Sequence, residues 1–323
     1  MRAKTLVSIF CWLLGSGLFV HSQAPPAMPP EKVATVLGQK IYFHEAGQGS
    51  AVILLHGLGT SSEIWAENIG PLSAQYHVYA PDQIGFGHSD KPLLDYTIGT
   101  FVDFLEGFMR AQQISQATLV GSSLGGWIAI DFAVEHPEMV SKLVLVNSAG
   151  LPFDQPPAVE LNPSSLAGMR HVLEAIFYNK QMVNDEFVRY AFTKHMQDND
   201  GYTIQRTLAG FSAKNQFEDK KLASIHTPTL VIWGRNDELI PLAKGEQLQK
   251  GIPGAKLVVV DQCGHFPHVE KASEFNQKVL QFLAGQEQHS GLLPQCRFCR
   301  RQSVPKRSSS SVDASVTVLQ TCH

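Results

Sequence analysis

From Glu31 to about Gly285 the chain alternates short apolar runs with longer amphipathic ones. The short runs are "KIYFHEAG", "AVILLHG", "YHVYAPD", "ATLVGSS", "KLVLVNS", "TLVIWG" and "KLVVVD". Several are near-continuous Val, Ile and Leu, the pattern of strands buried on both faces of a parallel sheet. Between them "TFVDFLEGFMRAQQ", "GGWIAIDFAVEHPEMV" and "ASEFNQKVLQFLA" read as helices. Strand and helix in alternation predict an α/β fold, a mostly parallel central sheet with helices on both faces.

One interval breaks the rhythm. Residues 151–217 hold no strong strand; "PFDQPPAVELNPSS" is followed by the helical "LAGMRHVLEAIFYNKQ" and "NDEFVRYAFTKHMQ". A helical insertion leaving the sheet after Ser148 sits over the carboxyl edge of the strands, where open α/β sheets bind ligands. The predicted organisation is a core in two parts, residues 23–150 and 218–286, with a helical cap over 151–217.

The flanks read differently. "MRAK" followed by "TLVSIFCWLLGSGLFV" has the basic start and apolar run of a signal peptide over residues 1–22, with the cut after Ser22. This predicts a secreted or periplasmic protein; the rival is an uncleaved N-terminal membrane anchor. Residues 287–323 are Ser/Arg-rich without hydrophobic periodicity and read as a disordered tail. Of the five cysteines only Cys263 falls in the expected folded body, and Cys296-x-x-Cys299 lacks the second pair that a zinc site needs. A net charge of −3 with 17% charged residues gives no nucleic-acid surface.

Every loop of chemical interest follows a strand end. "TLVGSSLGGW" holds two serines, but only Ser123 has glycines two residues to each side, Gly121 and Gly125, as a nucleophile on a tight strand-to-helix turn requires. Ser122 is flanked by Val120 and Leu124 and fails. A phosphate loop fails as well, because no Gly-Lys-Ser/Thr follows. A serine hydroxyl needs a base, and the base an orienting acid. "VIWGRNDELIP" offers Asp237 or Glu238, and "VVVDQCGHFPHVE" offers His265 or His268, with Asp261 as a further acid. Asp237 leaves its strand first and His265 lies directly off the last one, so these two are chosen. "LLHGLGTSS" puts the Leu58 N–H near the end of a buried strand. With the N–H of Leu124, just after the nucleophile, it would form an oxyanion hole. His56 reads as a brace of that loop.

At these residues the chain resembles the α/β-hydrolase superfamily, over nearly all of Val33 to Leu283. "LLHGLGTSSEIW", "PDQIGFGHSDKP", "VGSSLGGWIA", "LVNSAG", "VIWGRNDELIP" and "CGHFPHVEKASEF" carry the resemblance. It implies an α/β-hydrolase fold with a cap inserted after the sixth strand. It also implies a Ser123–His265–Asp237 triad, Asp82 and Asp90 as structural groups, and no metal or organic cofactor. "GFGHSDKP" and "IFYNKQMVNDEFV" look most like the carbon–carbon bond hydrolases of aromatic ring cleavage. Those enzymes carry a cap arginine for a substrate carboxylate; Arg189 stands on the similar helix, with Ala191 and Phe192 nearer the expected place. The glycine-proline of their oxyanion loop is missing here. The expectation is therefore hydrolysis of a small acyl substrate, a carboxylic ester before a ring-cleavage diketo or dienoate compound. A non-catalytic small-molecule binder is the reading from another class. No nucleic-acid partner and no stable membrane association after signal cleavage are expected.

Overall fold

The central strands alternate strictly between two hydrophobic clusters, which is what a sheet buried on both faces requires. Val52, Leu54, Val120, Val144 and Ile232 point to one side. Their neighbours Ile53, Leu55, Leu119, Leu145 and Val231 point to the other. The computed structural model describes residues 28–152, 159–211 and 219–285. The expected signal peptide over 1–22 and the expected tail over 287–323 therefore lie outside the described residues. Among those described, no helix is long and apolar enough to cross a membrane.

The strands are β1 (Glu31–Val36), β2 (Gln39–Ala46), β3 (Ala51–Leu55), β4 (His77–Pro81), β5 (Ala117–Ser122), β6 (Val140–Val146), β7 (Thr229–Gly234) and β8 (Lys256–Val260). They form one sheet in the order β1-β2-β4-β3-β5-β6-β7-β8. The first two are antiparallel to their neighbours and the rest run parallel. The apolar runs anticipate all but β1. That edge strand buries only Ala34 and Val36 and so carries no continuous apolar signal. Its partner is reached through Leu37 and Gly38, both at positive φ (49° and 79°), the geometry of a two-residue hairpin turn.

Helices α1 (Ala66–Ser73), α2 (Ile98–Ala111) and α3 (Leu124–Glu135) connect the first parallel strands. Between β6 and β7 lie α4 (Leu166–Ile176), α5 (Asp185–Asp198) and α6 (Gly201–Phe211). Asn184 starts α5 by accepting the Phe187 N–H on its side chain. On α4 the residues Met169, Val172, Leu173 and Ile176 form one helical stripe, packed against Phe187 of α5 and against Phe266 and Val269 of the core. The short α7 (Asp219–Ala223) leads into β7, which is followed by α8 (Leu242–Gly251), and after β8 come α9 (Pro267–Glu270) and α10 (Ala272–Leu283).

Helix α3 is apolar all round because it is covered on every side, and it carries one carboxyl inside, Asp131. Burial pushes the Asp131 pKa from 3.8 to about 6, with Lys221 opposing and Glu135 adding to the shift. A folded-state pKa above the unfolded one means that the native state holds more protons in this window. Stability therefore falls as pH rises from 3.8 to about 6. Asp131→Asn is expected to raise the melting temperature at pH 8, by up to about 3 kcal/mol of stability, and to change it little at pH 4. Thermal melts at the two pH values check this; an equal gain at both would remove the ionisation as the cause.

Candidate active site

The turn at the end of β5 is built as its glycines predict. Ser123 has φ 53° and ψ −116°, a conformation that L-residues rarely adopt. It is held there because its N–H donates to Val146 O and its carbonyl accepts the N–H groups of Gly126, Trp127 and Ala149. A Cβ on Gly121 would overlap the Gly125 carbonyl, and one on Gly125 would overlap the Leu55 carbonyl. Only at this spacing can the chain reverse so tightly and leave the Ser123 side chain half-buried at a cavity. Ser122 does not line that cavity; its Oγ is buried without a hydrogen-bond partner among the described residues.

The other groups arrive from neighbouring strand ends. His265 Nδ1 lies 2.7 Å from Asp237 Oδ2, both side chains being buried. The carboxylate can only accept, so the proton sits on Nδ1 and Nε2 is left as the ring's acceptor. Asp237 Oδ1 accepts the N–H groups of Leu239 (2.8 Å) and Ile240 (3.0 Å). His265 lines the same cavity as Ser123. The Ser123 hydroxyl holds no hydrogen bond among the described residues; such nucleophile–base bonds are often longer in substrate-free enzymes.

The alternatives in the sequence are placed elsewhere. Asp261 is exposed and pairs with Arg235, and Glu238 pairs with Lys180 at the surface. His268 is fully buried against Trp65, with ring centroids 4.3 Å apart, and neither ring nitrogen has a partner. Burial, with His265 adding, pushes its pKa down to about 3, so it stays a neutral core residue.

Leu58 and Leu124 both line the cavity. The Leu124 N–H opens α3 and has no acceptor within its helix. The chain just before Leu58 lies directly on Ser123: a Cβ on Gly57 would stand 3.2 Å from Ser123 Cβ. That loop is braced as expected. His56 Nε2 accepts the Gln83 N–H at 3.0 Å, and its Nδ1 faces Gly57 O at 2.8 Å. Asp82 braces from beneath, accepting the N–H groups of Ser62 and His88, and Asp90 accepts that of Lys40.

Two residues of this arrangement escape a reading by motif. Asn147 donates to Asp237 Oδ2, and Glu270 accepts Gly264 N–H and Tyr178 N–H, both at 2.8 Å, clamping the His265 loop to the cap. The signal for Glu270 is faint, a charged residue that merely precedes the last helical run. For Asn147 it is the polar residue at the end of an otherwise apolar strand.

The cavity has a volume of about 290 Å³. Its wall is chiefly apolar, with Met169, Leu173, Ile176 and Phe187 from the cap and Phe266 and Val269 from the core. One patch is charged. Lys194 lies 3.0 Å from Asp198 and 3.5 Å from Glu63, with His195 beside it. Burial alone would lower the Lys194 pKa, but the two carboxylates outweigh it and hold the ammonium above its ordinary value.

Arg189 is corrected by the structure. It is exposed and contributes nothing to the cavity wall. On α5 the cavity-lining residues are Phe187, Tyr190, Ala191, Lys194, His195 and Asp198. Arg189 follows Phe187 by two residues, about 200° around the helix, and so faces solvent. As to metals, among the described residues Glu31, Asp82 and His88 bring ligand atoms together. Both Asp82 oxygens are already taken by backbone N–H groups.

The sequence profile of the alpha/beta hydrolase family matches residues 52–278. The 2-hydroxymuconate semialdehyde hydrolase of Pseudomonas sp. (strain CF600) is 34% identical over 278 residues, covering 81% of this chain and 96% of its own. The 2-hydroxy-6-oxo-6-phenylhexa-2,4-dienoate hydrolase of Comamonas testosteroni is 33% identical, covering 75% and 91%. Among solved structures, a meta-cleavage product hydrolase from Pseudomonas fluorescens IP01 superposes with a TM-score of 0.74 at 30% identity, covering 79% of this chain and 98% of that one.

Proposed function

This chain belongs to the alpha/beta hydrolase family, and on that premise we propose that it is a serine hydrolase cleaving the carbon–carbon bond beside a ketone in a conjugated oxo-dienoate. The similarity to two such hydrolases over more than nine-tenths of their length carries this reading. It moves the earlier preference for carboxylic esters to second place.

In the proposed cycle His265 Nε2 takes the Ser123 proton as Oγ attacks the ketone carbon, while Asp237 holds the imidazole and stabilises its charge. The N–H groups of Leu58 and Leu124 receive the oxyanion. Collapse re-forms the carbonyl and breaks the carbon–carbon bond. This departure requires the substrate's keto tautomer, in which the dienol proton has moved to the carbon beside the ketone. The bond's electron pair then delocalises into a dienolate, which takes the proton of His265 on its enolate oxygen. Water, deprotonated by the same ring, then releases the acyl group from Ser123 as a carboxylic acid.

A carboxylate-bearing substrate needs a cation, and Lys194 is the ammonium in the cavity wall. Lys194→Met is expected to raise KM for a ring-fission dienoate roughly ten- to a hundredfold, the loss of a charged hydrogen bond. It should leave neutral esters within about twofold. The ester reading keeps one observation in its favour: Lys194 is already met by Glu63 and Asp198 within an apolar wall. Steady-state kinetics with a 6-aryl or 6-alkyl ring-fission dienoate beside neutral phenyl and alkyl esters tests the assignment. Turnover of esters alone would replace the carbon–carbon reading with the ester one.

A further inference from the structure

The segment that leaves β6 touches more of the site than any motif indicates. The Asn147 N–H donates to Ile232 O and the Ala149 N–H to Ser123 O, both at 3.0 Å. The Asn147 side chain spans two strand ends. Its Oδ1 accepts the Gly234 N–H at 3.1 Å, and its Nδ2 donates to Asp237 Oδ2 at 2.5 Å. The Gly234 bond fixes which way the amide faces, because the reverse orientation would set Oδ1 against a carboxylate.

The oxygen that Asn147 meets is the one that matters. Asp237 Oδ1 is occupied by the Leu239 and Ile240 N–H groups, whereas Oδ2 is shared by Asn147 Nδ2 and His265 Nδ1. The amide therefore holds one lone-pair direction of Oδ2 and leaves the other for the imidazole. It also adds a third non-histidine donor to a carboxylate that is out of water. Asn147 is fully buried and sits at φ 42°, a region in which asparagine is tolerated better than most side chains.

We infer that Asn147 is a positioning residue for the triad: its side-chain amide fixes Asp237 Oδ2 and sets how strongly that carboxylate supports His265. This rests on Ser123, His265 and Asp237 acting together, as proposed above. It is independent of whether an ester or a carbon–carbon bond is cleaved.

A fluorophosphonate that phosphonylates activated serines serves as the probe, because its second-order rate constant reads Ser123 activation whatever the natural substrate. Asn147→Gly keeps the positive-φ backbone while deleting the amide, and is expected to slow labelling roughly ten- to a hundredfold. Asn147→Asp is nearly isosteric and sets a second carboxylate beside Asp237. Two carboxyls that close share one proton, and its loss as pH rises leaves a second negative charge that favours imidazolium. The acid limb of the pH–rate profile should therefore be displaced or split by a second inflection absent from wild type. The other ionisable groups nearby, Cys263, His268, Glu270, Lys194, His195, Glu63 and Asp198, are the same in both variants. A residue that only stabilised the fold would lower the fraction of folded protein, read by near-UV circular dichroism, without moving or splitting that limb. Labelled wild type with an unchanged rate in Asn147→Gly, or an unmoved and unsplit limb in Asn147→Asp, overturns the role of Asn147 alone. Wild type that is not labelled at Ser123 overturns the triad reading and this inference with it.

Discussion

Ser123→Ala is expected to lower kcat by a factor on the order of 10⁵ to 10⁶, with the melting temperature nearly unchanged. The two halves of this result have separate causes. Turnover is lost because no other side chain at the turn offers a nucleophile: Ser122 Oγ is buried and lines no part of the cavity. Stability is kept because alanine retains the same Cβ at φ 53°, so the turn is neither more nor less strained. The hydroxyl gives up no hydrogen bond among the described residues. What activity remains would come from the Leu58 and Leu124 amides and from binding alone. Purified variant and wild type are compared by turnover, by covalent serine-probe labelling and by thermal melt. Wild-type turnover in the variant would sink the nucleophile assignment.

Asp237→Asn should cost about 10⁴-fold in kcat, and its reason is the tautomer. The carboxylate now accepts from Leu239, Ile240, Asn147 and His265 at once. An asparagine has one accepting oxygen and one NH₂ group. If its oxygen stays with the two backbone donors, its NH₂ faces both the Asn147 NH₂ and His265 Nδ1. His265 must then accept at Nδ1 and carry its proton on Nε2, where it cannot take one from Ser123. The crowding of two NH₂ groups should also lower the melting temperature, unlike Ser123→Ala. Pre-steady-state and steady-state rates across pH check this. A loss under tenfold would mean that a group other than Asp237 orients the ring.

Much of the site is legible one strand end at a time. The glycine frame around Ser123 is a local steric condition, so three residues of sequence select one serine of two. The near-continuous apolar runs of β3, β5, β6 and β7 are legible for a similar reason, since strands covered on both faces leave no polar alternation. Edge strand β1 is not, because half of it faces water. Helix α1 is equally quiet, with Pro71 inside its eight residues.

Choices that depend on two distant segments meeting are where sequence runs out. His265 and His268 are both plausible by spacing; they part only because one ring meets Asp237 and the other is packed against Trp65. Arg189 and Lys194 share one helix, and which of them faces the cavity depends on how α5 docks over the sheet. Asn147 gains its role from Asp237, 90 residues away.

By itself, then, the sequence determined the α/β architecture, the inserted helices and the turn that presents Ser123, the proposed nucleophile, since each follows from backbone sterics or hydrophobic period within a short window. The partners of that nucleophile, the charged patch of the cavity and the brace on the acid were decided by tertiary structure. A hydrogen bond across strand ends is a statement about distance, and distance between remote residues exists only once the chain has packed.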